Sequence, residues 1–256
     1  MSLFGSAETF AITKAKTSKQ TESLQYDIYY HWGIIWKKAG QGNLTLFEET
    51  TANDEKRMHG RIVGKTLSFI EYIMAVRDTL DCWYTPSYVP IEFCKKTNEG
   101  SYKATERNFY TPTYNGKGYN PEDVKSTSIE VRRWRNKKGN DTKTHTVNGA
   151  AYDMLSVFYR VRGLDFAKLK PGTTYKLPVV AGIKLQWMNV KFVETTTCKL
   201  RNGKKYPAYK VELTINTKGE DGAPLSVWLS TDKSHRPLSV IIDLKRIGAI
   251  QCEIVE

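Results

Sequence analysis

The sequence predicts a mainly β protein of the α+β class: one large, strongly curved antiparallel sheet, or open barrel, of about eleven strands wrapped around two helices. Three observations predict it. Apolar and polar residues alternate with period two through most of the 256 residues, the pattern of strands with one buried face. Only two stretches switch to a helical period. Short turns rich in Gly, Asn and Pro join almost every segment, which makes neighbours run antiparallel.

Residues 1–21 carry no charged stretch followed by an apolar one. They read as a flexible leader, the scar or remnant of a removed export signal, with one folded domain over 22–256. In LQYDIYYHW, Leu24, Tyr26, Ile28, Tyr30 and Trp32 share one face of a strand. GNLTLFEET, with Leu44 and Leu46, returns as the second strand, and HGRIVGKT is the third. The period then changes. Ile70, Ile73, Met74 and Arg77 recur at i, i+3, i+4 and i+7, flanked by Leu67 and Leu80, which predicts a helix over 66–80. The prolines of YTPSYVP stop it.

IEFCKKT and SYKATERNFY then make a hairpin around NEG, and 111–124 form a loop rich in Gly, Pro and Asn. TSIEVRRWRN and TKTHTVN follow as strands. AAYDMLSVFYRVRGL, over 150–164, places Met154, Leu155, Phe158, Val161 and Arg162 along one side of a second helix, ended by Gly163 and KPGTT. From 173 onward the chain is almost all strand. YKVELTIN puts Tyr209, Val211, Leu213 and Ile215 on one face, PLSVWLS puts Leu225, Val227 and Leu229 together, and PLSVIIDLKR and GAIQCEIVE close the chain.

A hydrophobic content of 40% with fifteen Tyr and six Trp excludes a disordered chain. No apolar run approaches the ~18 residues of a membrane span, so the sequence predicts a soluble protein. A net charge of +12 favours anionic partners such as phospholipid headgroups or acidic glycans. Cys82, Cys94, Cys198 and Cys252 form no CxxC pair, which argues against zinc. Their even number permits a Cys82–Cys94 bridge across a loop and a Cys198–Cys252 bridge between strands, or four unpaired thiols.

STDKSHRP brings Ser230, Asp232 and His235, the side-chain types of a hydrolytic triad, within six positions. It lies between two alternating strands, has no GxSxG elbow, and reads as a polar turn. RRWRNKK, from Arg132 to Lys138, is the densest charge. On a strand its cations divide between two faces, so nucleic acid is not an expected partner. His31, His59, His145 and His235 lack metal-ligand spacing, and no P-loop or GxGxxG occurs. No metal, cofactor or enzymatic activity is expected.

Several stretches together resemble a family of bacterial exported proteins known as domain of unknown function 3108: LQYDIYYHWGIIWKKAGQGNLTL, AVRD, DMLSVFYRVRGL, KPG and the tail from VWLSTDKSHRP to the end. The matching signatures are Trp32–Gly33, a helix ending Arg77–Asp78, Ser156/Tyr159/Arg162 on the second helix, Ser230/Asp232/Pro237, and Ile247–Gly248. The resemblance implies a periplasmic or outer-surface protein without assigned activity. It also implies a curved sheet about helices, similar to periplasmic lipoprotein carriers. Arg77, Asp78, Ser156, Tyr159 and Arg162 are expected to form a structural network. The leading functional expectation is a non-enzymatic envelope protein that holds a lipid or lipoprotein acyl chain against inward aromatics, Tyr26, Tyr30, Trp32, Trp187 and Trp228. The competing reading is that these only fill a core. Docking of anionic envelope polymers through the lysines is the alternative, and a hydrolase at Ser230/Asp232/His235 the last.

Overall fold

The computed structural model describes residues 15–32, 35–67, 75–116, 118–217, 220–221, 224–244 and 248–255. The first half of the chain holds β1 (Ala15–Trp32), β2 (Ile35–Thr51), β3 (Lys56–Thr66), β4 (Arg77–Tyr84), β5 (Pro90–Glu99), β6 (Tyr102–Tyr114), β7 (Val124–Arg135) and β8 (Gly139–Asn148). After a two-residue β9 (Tyr152–Asp153) comes the helix α1 (Ser156–Arg162). Then follow β10 (Thr174–Ala181), β11 (Lys184–Lys199), β12 (Lys205–Thr217), β13 (Glu220–Asp221), β14 (Leu225–Ser230), β15 (Pro237–Asp243) and β16 (Ala249–Ile254).

Among the described residues all sixteen strands belong to one sheet, ordered β8-β7-β6-β5-β4-β3-β2-β1-β16-β15-β14-β12-β11-β10-β9, with β13 beside β12. Every pairing is antiparallel except β9 with β10. The last strand closes on the first, Tyr26 opposite Ile254 and Ile28 opposite Cys252. The sheet thus curls through both chain halves into an open barrel. Its two ends approach each other: His145 Nε2 on β8 lies 3.0 Å from the carbonyl of Ile183, beside the β10–β11 turn.

The curled, antiparallel architecture follows the sequence pattern, with more strands than the about eleven expected. Three expectations need correction. Residues 15–21, expected in a leader, form the start of β1 and pair with β2 from Phe47 to Thr51. Of the first expected helix, residues 68–74, with Ile70, Ile73 and Met74, lie outside the described residues, whereas Arg77 and Leu80 stand on β4, paired to β3. From Arg77 the chain is strand: Leu80 and Cys82 alternate with Asp81 as strand residues do. Among the described residues there is one α-helix, and it begins at Ser156 rather than at 150.

Asp153 sets that start. It is wholly buried, and its Oδ1 accepts the backbone N–H groups of Leu155 (2.8 Å) and Ser156 (2.7 Å) while Ser156 Oγ donates to Oδ2 (2.6 Å). The orphan donors of the first turn are thereby satisfied from outside the helix. α1 is buried around most of its circumference, as a helix inside a barrel must be. Leu155 and Tyr159 pack with Leu24, Leu44, Tyr84 and Phe93 of one half. Val157 and Val161 pack with Val179, Val190 and Val211 of the other.

Candidate functional site

Inside the barrel, beyond the N-terminal turn of α1, lies a cavity of about 410 Å³ that is open to solvent. Its walls come from the continuous run of strands β3-β2-β1-β16-β15-β14-β12-β11, among them Ile28 on β1, Leu44 on β2, Ile62 on β3, Met188 on β11, Leu213 and Ile215 on β12, Val240 and Ile242 on β15. Met154, Leu155 and Phe158 form the side next to the helix, and Met154 remains 41% exposed. Among the described residues no Lys, Arg, His, Asp or Glu lines it. Tyr26 reaches it, but its hydroxyl donates to the Pro237 carbonyl at 2.7 Å. Such a space offers dispersion and desolvation, and almost no polar recognition.

Two glycines make much of the room. Gly42 on β2 and Gly64 on β3 stand opposite each other in register and both line the cavity. Sequence reasoning treated 42–46 and 59–66 as ordinary strands and missed them. The available signal was glycine inside an alternating strand, which marks a bulge or a close approach.

The expected aromatic ligands divide by register. Tyr26 lines the cavity, and Tyr30 shares its face, opposite Ile250, with 37% exposure. The side chain of Trp32 lies outside the described residues. Trp187 and Trp228 are corrections. Met188, Val190, Val227 and Leu229 point into the core, so the neighbouring Trp187 and Trp228 point outward by the period of two. Each carries a lysine over its ring, Lys176 at 5.4 Å and Lys210 at 5.6 Å.

The expected structural network splits in two. Ser156 belongs to the Asp153 cap, Tyr159 Oη donates to the Thr45 carbonyl (3.3 Å), and Arg162 grips Glu22 with Nη1 at 2.8 Å and Nη2 at 2.6 Å. Arg162 also donates to the carbonyls of Ser234 (2.9 Å) and His235 (3.1 Å). Arg77 and Asp78 stand on β4 instead, where Asp78 accepts the Asn98 N–H of β5 at 2.9 Å.

Residues 231–234 are a turn. Ser230 Oγ accepts the Arg236 N–H (2.8 Å), Asp232 caps Ser234, and His235 Nδ1 meets the Arg162 carbonyl at 2.6 Å. The His235 ring packs edge-on against Phe166 and Tyr209. The hairpin is a clamp on the end of α1. In the basic stretch, Arg132 pairs with Glu130 (2.6 Å), and Arg133 and Arg135 share Asp141. All four cysteines are free thiols. Cys82 faces inward opposite Gly60 and Cys94 outward opposite Asp81, while Cys252 lines the cavity and Cys198 lies in another part of the sheet opposite Tyr206. Cys82 and Cys94 lie on opposite faces, which prevents that bridge, and Cys198 and Cys252 are likewise unpaired.

A polar cluster that sequence reasoning also missed lies on the outer face. Arg57 Nε donates to Glu49 at 2.8 Å, and His59 sits between Glu49 (2.9 Å) and Asp81 (2.8 Å), stacked on Trp83. It staples β2, β3 and β4 together. Among the described residues no group of His, Cys, Asp and Glu could hold a metal ion, and no helix is long and apolar enough to cross a membrane.

A family model described as "Protein of unknown function (DUF3108)" matches residues 25–255. Among solved structures, the chain is similar to a beta-barrel-like protein of the domain of unknown function DUF1849 from Brucella abortus. The TM-score is 0.54 at 9% identity, over 95% of this chain and 98% of that one. No curated protein matches the sequence.

Proposed function

Because the chain belongs to the DUF3108 family, described only as of unknown function, we propose from its own geometry that it is a carrier or holder of an apolar or amphipathic ligand. The ligand's hydrocarbon part enters the barrel, and its polar part stays at the solvent side. The observation that carries this reading is the cavity of about 410 Å³ inside the sheet, lined among the described residues without a Lys, Arg, His, Asp or Glu. It falls within the ~300–1,000 Å³ of small-molecule sites. Each methylene buried there gains about 0.8 kcal/mol, whereas a charged group inside would meet no counter-charge.

An exported, envelope location is part of the reading, supported by the resemblance of the sequence to exported proteins. The test is organic extraction of protein purified without detergent, followed by mass spectrometry, together with titration of a fluorescent apolar probe and its displacement by fatty acids. A hydrocarbon-tailed molecule in the extract and saturable displacement are expected. Empty protein that binds neither probe nor fatty acid would overturn the proposal.

A further inference from the structure

Four glycines lie inside β2 and β3, and their reasons differ. At Gly40 an added Cβ would lie 2.6 Å from the Lys65 carbonyl oxygen, and at Gly60 2.3 Å from the Tyr159 ring. Those two are required by close packing. At Gly64 a Cβ would meet nothing within 4 Å, and at Gly42 its nearest neighbours would be in ordinary contact at 3.7 Å. Neither Gly42 nor Gly64 has the left-handed φ that excludes other residues. Glycine in a strand interior weakens the strand. The fold therefore keeps two residues that packing and backbone do not demand, face to face, on the wall of its cavity.

Gly60 shows what such a position does in this molecule. It lies on the same strand and the same inner face as Gly64, and its missing side chain admits the ring of Tyr159 against the backbone. Among the described residues, Gly64 offers the same kind of seat to none. We propose that the Gly42–Gly64 pair seats the tail of a single-chain, unbranched acyl amphiphile, laid across the bare backbone of β2 and β3. This rests on the carrier reading of the cavity and names its ligand class. The flanking side chains Ile28, Leu44 and Ile62 are aliphatic. Among the described residues no Lys, Arg, His, Asp or Glu is there to orient an ionised group, the Tyr26 hydroxyl is held by Pro237, and Asn43 and Cys252 are the other polar lining residues.

The experiment compares wild type with Gly64→Leu, Gly64→Ala and the outward control Val63→Leu, whose native side chain is 40% exposed. Each methylene displaced from the seat costs about fourfold in affinity, the equivalent of ~0.8 kcal/mol. A Leu side chain that displaces about two should weaken long-chain fatty acids about fifteenfold and shorten the longest chain accepted. The same variant should raise Tm by about 2–4 °C, because a strand side chain replaces glycine without a clash. Gly64→Ala should shift both readouts the same way by less, and Val63→Leu should move neither. A lowered Tm in both Gly64 variants would overturn the proposal, since the glycine would then serve the bending of the sheet. So would an unchanged chain-length profile in Gly64→Leu, or tighter wild-type binding of a planar aromatic than of any fatty acid. Wild-type protein that binds no fatty acid at all instead defeats the carrier reading itself.

Discussion

The position of α1 decides whether the cavity exists, and the Gly60–Tyr159 contact decides the position of α1. An alanine Cβ at residue 60 would stand 2.3 Å from Tyr159 Cε2 and 2.8 Å from Cζ, so the ring must retreat by about 1 Å to reach ordinary contact. Little allows it to do so. Tyr159 is 2% exposed and stacks near Tyr84 at 5.2 Å, while α1 is fixed at one end by Asp153 and at the other by Arg162. Overpacking of this kind costs ~1–3 kcal/mol, and the fixed helix places Gly60→Ala at the upper end, a fall of about 4–10 °C in Tm. Tyr159→Ala alone should cost ~3–5 kcal/mol through the void it leaves. The double variant Gly60→Ala/Tyr159→Ala should cost no more than Tyr159→Ala, because the new methyl occupies vacated space. The coupling is then about 2 kcal/mol or more, read from urea unfolding of all four proteins by tryptophan fluorescence. Additive costs within ~0.5 kcal/mol would refute the claim that this ring is seated by the missing side chain.

Three further outcomes follow from the same frame. Arg162→Met leaves the partly buried Glu22 carboxylate unpaired and should cost up to ~3 kcal/mol; Arg162→Lys should restore little, since one ammonium cannot serve both carboxylate oxygens and two carbonyls, and both are measured by urea midpoint. Burial pushes Asp153 up to about 6 from 3.8, against the hydrogen bonds from Ser156 and Leu155 that pull it down. The folded state thus holds the proton more tightly than the unfolded one, so this group's contribution to stability should fall as pH rises from about 4 through 6 and stay flat above, by up to ~3 kcal/mol. Asp153→Asn should abolish that part of the slope while keeping the helix. The comparison is a difference between the two proteins because Glu92, pushed up to about 7 by burial, adds a slope of the same sign. Ser230→Ala should cost ~1 kcal/mol by removing the acceptor of the Arg236 N–H, and any ester hydrolysis by the protein should be unaffected; a loss of hydrolysis without a loss of stability would revive the triad.

Particular residues show what was legible in the chain. Period two in LQYDIYYHW placed Leu24, Tyr26 and Ile28 on the inner face, and the alternation of 225–229 put Val227 and Leu229 there with 0–2% exposure. The same rule, applied strictly, assigns Trp228 to the outside, against its expected place among the inward aromatics. The expected helix at 66–80 overran its end: Arg77 and Leu80, counted into its stripe, stand on β4, where period two rules, while 68–74 lie outside the described residues. Strand pairing of β1 with β16 depends on contacts between the ends of the chain, which no local pattern encodes. The Ser156/Tyr159/Arg162 row was visible as a unit, but its partners Glu22, Thr45 and His235 lie far away in sequence and appear only once the sheet has curled.

The cavity has a cause in the length of one helix. A strand of eighteen residues such as β1 reaches about 60 Å, whereas the seven residues of α1 span about 10 Å. A barrel of about eight strands is narrow enough for its own side chains to fill; this sheet runs through more, so its interior needs an added filler, and α1 fills only part of it. Had the apolar pattern of 150–164 become helix throughout, Met154 and the residues before it would have extended the plug. They do not, because Tyr152 and Asp153 are claimed by β10, opposite Val179 and Val180, and the Asp153 carboxylate takes the N–H groups from which another turn would have been built. The chain thus gives up a turn of helix, keeps a buried acid to enforce the stop, and leaves an apolar space beside it. Stability alone would favour closing that space with the side chains that Gly42 and Gly64 lack, and this is why we read it as room for a ligand.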